Sequence, residues 1–253
     1  MGVVMYSDTD AAALYDRLNP WDPASWPADR FYHELVMAVG SVLDVGCGTG
    51  AMLAHAREQG HRGRLVGLDP DRAALDRARR RADIEWVEGP AADARWTACF
   101  DLAVMTGHAF QFLASDDDLR ASLAAIRGSL RAGGRFAFET RHPQAQAWLD
   151  WCPSNRSDVT DEAGRARRVW NEVESVSADV PASTGTVVTF TGTTASRDGT
   201  VLWVDRTSLR FLDPGPLAVF LTEAAFEIEA QYGDWDRGPI TTSSREIVTV
   251  ARA

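Results

Sequence analysis

The chain has 253 residues, 45% of them apolar and 25% charged, enough for one large domain or a domain with an inserted cap. Its 36 acidic against 26 basic side chains leave a formal net charge of −10, which argues against a nucleic acid partner, because that binding draws on Lys and Arg to neutralise phosphates. No run of about 18 apolar residues and no charged leader occurs, and Cys47, Cys99 and Cys152 show neither CxxC spacing nor an even-numbered framework; the expectation is a cytoplasmic protein with no membrane partner.

The elements are read in chain order. Asp8 to Leu18 reads as a helix with Asp8 or Thr9 as cap, and a Pro- and Trp-rich joint follows it. Pro27 suits the first turn of a second helix running to Val39. Strands and helices then alternate: strand Ser41–Val45, helix Met52–Gln59, strand Leu65–Leu68, helix Arg72–Arg81, strands Ile84–Val87 and Asp101–Met105, and helix Asp116–Leu130. The arginines Arg77, Arg79, Arg80 and Arg81 read as a solvated helix face. Ala132-Gly133-Gly134 is expected to end the last of these helices before a strand from Arg135 to Glu139. Strands separated by helices in this way imply a doubly wound, mostly parallel sheet in an α/β domain.

From Arg168 to Phe211 the pattern changes to Val, Thr, Ser and Trp in two-residue alternation, with Asp198-Gly199 as a hairpin signal between Val188/Phe190 and Val201/Trp203. This predicts an antiparallel β insertion closed by Pro214 and Pro216. Helix Leu217–Ala225 and strands Glu227–Tyr232 and Glu246–Ala251 return the chain to the main sheet. The expected organisation is an N-terminal helical lid over 1–40, a core over 41–150 and 214–253, and the insertion over 151–213 as cap or homodimer surface.

The most informative segment is Val42-Leu43-Asp44-Val45-Gly46-Cys47-Gly48-Thr49-Gly50. A strand running into alternate glycines lets the backbone turn tightly and approach a ligand without a Cβ in the way, as nucleotide-like cofactors require at the first strand. The glycines fit both GxGxG and a dinucleotide GxGxxA pattern with Ala51. Asp69, nineteen residues after Gly50, closes the second strand and can accept both hydrogen bonds of a ribose diol. Asp44, two residues before the first glycine, separates the two cofactors: it repels a diphosphate at the helix N-terminus, whereas it favours the ammonium of S-adenosylmethionine. Cys47 fills a position that needs a small residue, so packing explains it.

On these motifs the sequence resembles the class I S-adenosylmethionine-dependent methyltransferases. Val42–Gly50 resembles their first motif and Leu65–Pro70 their second. Cys99–Met105 is similar to the fourth-strand motif and Leu130–Phe136 to the turn into the fifth strand. The resemblance implies a Rossmann-like seven-stranded sheet, mostly parallel with an antiparallel last strand. It implies binding of S-adenosyl-L-methionine, with S-adenosyl-L-homocysteine as product, by Asp44, Gly46, Cys47, Gly48, Gly50, Asp69 and Pro70. It also implies roles for Pro90, Ala91, Thr106, Gly107 and Phe110, with Tyr15 on the lid. Where such enzymes often carry Gly-Asp-Ala after the third strand, this chain has Gly89-Pro90-Ala91, so the acid that would accept from the adenine amino group is missing; the N–H of Ala91 remains, and Asp93 is nearby.

The implied activity is methyl transfer to O, N or C of a small-molecule metabolite by in-line displacement. Such a reaction needs alignment of nucleophile, methyl and sulfur, with a base where the nucleophile must lose a proton. His108, His142 and Glu139 are the catalytic candidates, the last two expected just after the fifth strand together with Arg141; no spacing suggests a metal. Tryptophans 21, 26, 148, 151, 170 and 203 offer either aromatic walls or cap packing. A non-enzymatic cofactor-binding module on the same fold and a nicotinamide-dependent oxidoreductase are the alternatives.

Overall fold

A computed structural model describes residues 6–177 and 185–253. The first five residues of the expected lid and residues 178–184 of the expected insertion lie outside the described residues. Two helices, α1 (Asp8–Leu18) and α2 (Pro27–Met37), precede the alternating region. That region comprises β1 (Ser41–Val45), α3 (Ala51–Glu58), β2 (Arg64–Asp69), α4 (Arg72–Ala78), β3 (Glu85–Glu88), β4 (Phe100–Met105), α5 (Asp116–Ser129) and β5 (Leu130–Arg141). Strands β6 (Ser157–Thr160), β7 (Ala166–Val176), β8 (Thr186–Ser196) and β9 (Val201–Phe211) follow, and α6 (Pro214–Glu223), β10 (Glu227–Tyr232) and β11 (Glu246–Arg252) close the chain.

The main sheet has seven strands in the order β10-β11-β5-β4-β1-β2-β3. Strands β5, β4, β1, β2 and β3 run parallel, and β11 pairs antiparallel with both β5 and β10. Period-two alternation sends successive residues to opposite faces. Leu43, Val66, Ala103 and Phe136 therefore pack with α5 and α6, while Val42, Leu65, Leu102 and Ala137 pack with α2 and α3. Burial on both faces explains why β1 and β4 read as nearly continuous apolar runs. The chain leaves β1 toward β2 on one side and returns to β4 on the other, so β1 and β4 flank a topological switch point, where α/β sheets open a ligand crevice.

The second sheet is four-stranded and antiparallel, in the order β6-β7-β8-β9, with the expected Asp198-Gly199 turn between β8 and β9. Val188, Leu209, Phe211 and Trp148 form its own small core, joined by Trp151 and Phe190.

Several boundaries differ from expectation for local reasons. Ser7, not Asp8 or Thr9, caps α1, in a reciprocal capping box with Asp10. Helix α2 stops at Met37 and α4 at Ala78, short of the expected Val39 and Arg81. Strand β5 absorbs Ala132-Gly133-Gly134, with an irregularity against β4, and runs on to Arg141, so Glu139 and Arg141 lie within it. Pro214 and Pro216 start α6 rather than close the insertion, as suits prolines in a first turn. Strand β6 went unpredicted because its four residues, Ser-Asp-Val-Thr, carry no apolar alternation.

Candidate active site

The crevice at the carboxyl edge of the main sheet has two ends. At the first, β1 enters the glycine loop, where Gly46, Gly48 and Gly50 hold φ of +75°, +53° and +77°. A Cβ on Gly46 would sit 2.9 Å from that of Ala109, and one on Gly50 would meet the Trp86 ring at 2.2 Å, so both positions require glycine. The loop is tied to β2: Gly46 and Cys47 donate to the carbonyl of Leu68, and the Gly48 N–H donates to Asp69 Oδ2 at 2.7 Å. Asp69 Oδ1 accepts from the Asp71 N–H at 2.7 Å. Burial raises the pKa of Asp69, opposed by these two backbone donors.

Asp44 lies beneath this loop, 1% exposed, with no hydrogen-bond partner for Oδ1. Burial first, then the charges of Asp69 and Glu139, push its pKa up to about 8. A buried carboxylate oxygen left without a donor is costly, and such groups concentrate where a ligand completes the set. The Cys47 thiol is raised well above its ordinary value, chiefly by burial, which leaves it an inert packing residue.

The second end is built on β4, β5 and β11. Gly107 and His108 turn the chain after β4 with φ of +65° and +63°. Glu139 braces this turn from β5: its Oε1 accepts from the His108 N–H at 2.8 Å, and its Oε2 accepts from the hydroxyl of fully buried Tyr32 on α2. Burial raises the pKa of Glu139, opposed by His108 and Tyr32. The ring of His108 meets Glu246 of β11, Nε2 to Oε2, at 3.0 Å. Because β11 runs antiparallel to β5, its first residue lies at the same edge as the last residues of β5.

Helix α1 covers the crevice from the N-terminal side. The Tyr15 ring is exposed, but its hydroxyl reaches the Gly107 turn, where desolvation and the charge of Glu139 raise its pKa. Asp16 accepts from the Thr49 hydroxyl of the glycine loop and pairs with Arg77 of α4 at 2.9 Å. Arg77 also holds Glu162, between β6 and β7, at 2.6 Å. One guanidinium on α4 thus joins α1 and the β6–β7 turn, which corrects the expectation of a merely solvated face for Arg77. On the far side Arg210 of β9 pairs with Asp116, the first residue of α5, at 2.6 Å.

The structure brings together Tyr15, Asp44, the glycine loop, Asp69, Gly107, His108 and Glu139, with Thr106 leading from β4 into the turn. Pro70 follows β2 at the exposed surface. Pro90 and Ala91 lead into a 3-10 turn after β3, tied to β2 by the Gly89 N–H on the Asp69 carbonyl, and Asp93 is exposed there. Two expected site residues lie elsewhere. Phe110 is core, stacked on Phe138 with ring centroids 4.2 Å apart, because the 3-10 turn after His108 points its ring under the sheet edge. His142 is buried, and its Nδ1 accepts from the Gln144 N–H to cap a 3-10 turn. Trp148 and Trp151 fill the insertion's core, whereas Trp26 is exposed. Tyr32, Asp16, Trp86 and Glu246 were not found from sequence. Only Glu246 carried a signal, as a charge opening an antiparallel strand whose start falls at the crevice.

Residues 42–134 match the profile of a family described as "Methyltransferase domain". The chain is 30% identical over 132 residues to a cypemycin N-terminal methyltransferase of Streptomyces sp, covering 51% of this chain and 52% of that protein. It is 32% identical over 148 residues to a 2-phytyl-1,4-naphtoquinone methyltransferase of Thermosynechococcus vestitus, covering 54% and 64%. The matched stretch thus spans less than two thirds of either relative. In fold, it resembles the CcbJ methyltransferase of Streptomyces caelestis, with TM-score 0.70, 19% identity, and 98% and 99% of the two chains covered. SAM-bound CalS10, an amino pentose methyltransferase of Micromonospora echinaspora, aligns with TM-score 0.64, 20% identity, and 100% and 99% covered. Residues 42–134 are thus similar to a methyltransferase domain, and the whole chain shares the fold of solved S-adenosylmethionine-dependent methyltransferases.

Proposed function

We propose that the chain transfers a methyl group from S-adenosylmethionine to an O, N or C atom of a small-molecule metabolite. The observation that carries this reading is the buried, unpartnered Oδ1 of Asp44, two residues before the glycine loop and within the influence of Asp69. An ammonium or sulfonium is attracted to that oxygen, and the diphosphate of a dinucleotide is repelled. Asp69 keeps lone pairs for a ribose diol beyond the two backbone N–H groups it already holds. Ala91 serves the adenine ring through its N–H, and Tyr15 closes over the crevice from α1. The names of the relatives support methyl transfer as the reaction class.

The cofactor supplies a methyl group already activated by its sulfonium, which leaves the chain the task of alignment. His108 is the residue for proton removal. The Glu246 carboxylate accepts from Nε2 and so fixes the tautomer, leaving Nδ1 to take a proton from the nucleophile. Glu139 spends both oxygens on Tyr32 and the His108 backbone, which makes it a positioning residue. His142, with Nδ1 already used by Gln144, has no part in proton transfer.

Calorimetry tests the reading: S-adenosylhomocysteine should bind the purified protein and NADH should not, and the reverse result would remove it. No helix among the described residues is long and apolar enough to cross a membrane. Three free cysteines support a cytoplasmic setting. The edge strand β9, with Val201 and Val204 both 54% exposed, supports pairing with a second copy; a monomer mass by light scattering would dismiss that pairing.

A further inference from the structure

Arg141 ends β5 at the crevice, two residues beyond Glu139 and directly opposite Glu246 in the β5–β11 register. That register offers its guanidinium a carboxylate, and the offer is not taken. Glu246 turns to His108, and both oxygens of Glu139 are occupied. The Arg141 Nη1 donates instead to the neutral amide oxygen of Gln111 at 3.0 Å, and the guanidinium lies 5.6 Å from the centroid of the Trp151 ring. Gln111 is a fixed support: it is fully buried, and its Nε2 donates to the Arg210 carbonyl at 3.0 Å. Among the described residues Arg141 makes no ion pair, so most of its five N–H donors are uncommitted.

We propose that Arg141 anchors a carboxylate on the methyl acceptor, making the acceptor an organic monoanion; this rests on the methyl-transfer reading of the site. A guanidinium held over an indole at cation–π distance and steadied at one nitrogen has other N–H groups free to form a planar fork, the geometry that pairs bidentately with a carboxylate. Its place favours the acceptor over the cofactor. The cation-ready oxygen of Asp44 lies at the glycine-loop end, while Arg141 lies past His108, between Tyr15 of the lid and Trp151 of the insertion. Burial lowers the pKa of Arg141, and Glu246, Glu139 and Tyr15 oppose that shift. The same two carboxylates select the charge of the guest: they repel a dianion such as phosphate more than a monoanion.

The test titrates the whole protein with benzoate, benzamide, benzylamine and inorganic phosphate, both free and saturated with S-adenosylhomocysteine. Benzoate should bind at millimolar concentration and at least about tenfold more tightly than the other three. Arg141→Gln should weaken benzoate at least about tenfold and Arg141→Lys by less, with S-adenosylhomocysteine affinity unchanged. Tighter binding of benzylamine or phosphate, no benzoate binding, or an unchanged benzoate affinity in the glutamine variant would each overturn the proposal. So would a tenfold loss of S-adenosylhomocysteine affinity in a folded Arg141 variant, which would hand the guanidinium to the methionine carboxylate. The ranking of probes on the unmutated protein decides the matter even where a variant fails to fold. If S-adenosylhomocysteine does not bind, the methyl-transfer reading falls, while benzoate binding to the free protein still reports on Arg141.

Discussion

The two ends of the crevice treat buried carboxylates in opposite ways. At the glycine loop Asp44 is left with an oxygen that no protein group satisfies, and Asp69 is held only by backbone N–H groups. At the β5–β11 end every carboxylate has a side-chain or backbone donor: Glu139 has Tyr32 and His108, and Glu246 has His108. The first end leaves one buried acid oxygen without a protein partner. At the second the carboxylates are satisfied within the protein and frame His108 and Arg141. A buried acid thus marks a ligand site only where its partners are missing; where they are present it marks a support.

That contrast can be broken by measurement, starting with the largest effect. His108→Asn keeps a residue that tolerates the left-handed turn at φ +63° but has no basic ring nitrogen. Turnover should fall about 10²–10⁴-fold with S-adenosylhomocysteine affinity unchanged, as expected for loss of a general base. Equal losses in both would move His108 to the cofactor.

Asp44→Asn should weaken S-adenosylhomocysteine by about 10- to 100-fold, the range for a lost charged hydrogen bond. The sign of its effect on the free protein is opposite. With the folded pKa raised to about 8 from the ordinary value of 3.8, the folded state holds the proton more tightly than the unfolded chain. Asp44 therefore makes the free protein progressively less stable as pH rises from about 4 to about 8. The asparagine variant should lose that slope and melt above the parent at pH 8, and a parent whose melting temperature is flat over this range would refute the assignment.

Glu139→Ala strands the buried Tyr32 hydroxyl and should cost about 1–3 kcal/mol in denaturant unfolding, with restoration toward the parent in the double variant Glu139→Ala, Tyr32→Phe. Failure of the second change to recover stability would show that Glu139 acts on something other than Tyr32. Smallest is Glu162→Ala. Its side chain is 53% exposed, so loss of the Arg77 pair should change stability by less than about 1 kcal/mol. A larger effect would mean that the joint between lid and insertion matters to folding.

Much of the first end was legible in the sequence. Alternate glycines after an apolar strand admit few conformations, and an acid at the close of the next strand is placed by the strand itself, so Gly46, Gly48, Gly50 and Asp69 could be located by counting. The β5 end was less legible. The strand was expected to run from Arg135 to Glu139, with Arg141 beyond it; it runs from Leu130 to Arg141, because Gly133-Gly134 is accommodated by an irregularity in the β4–β5 pairing rather than by a turn. His142 and Phe110 were near the crevice in sequence but turn away from it, since a single 3-10 turn redirects a side chain by a large angle.

The sequence alone determined the alternation of strands and helices, the seven-stranded sheet with its antiparallel closing strand, the inserted hairpin and the cofactor loop. The alternation, the hairpin and the loop follow from local periodicity or glycine placement, and the seven-stranded sheet with its antiparallel last strand from the family resemblance. Only the tertiary structure decided which acids are satisfied. Tyr32 reaches Glu139 across 107 residues and Glu246 reaches His108 across 138, separations over which no local pattern constrains a pair. Asp44 and Glu139 are both carboxylates buried at the sheet edge. That one keeps an unpartnered oxygen and the other holds a turn depends on what α2, β4 and β11 bring beside them.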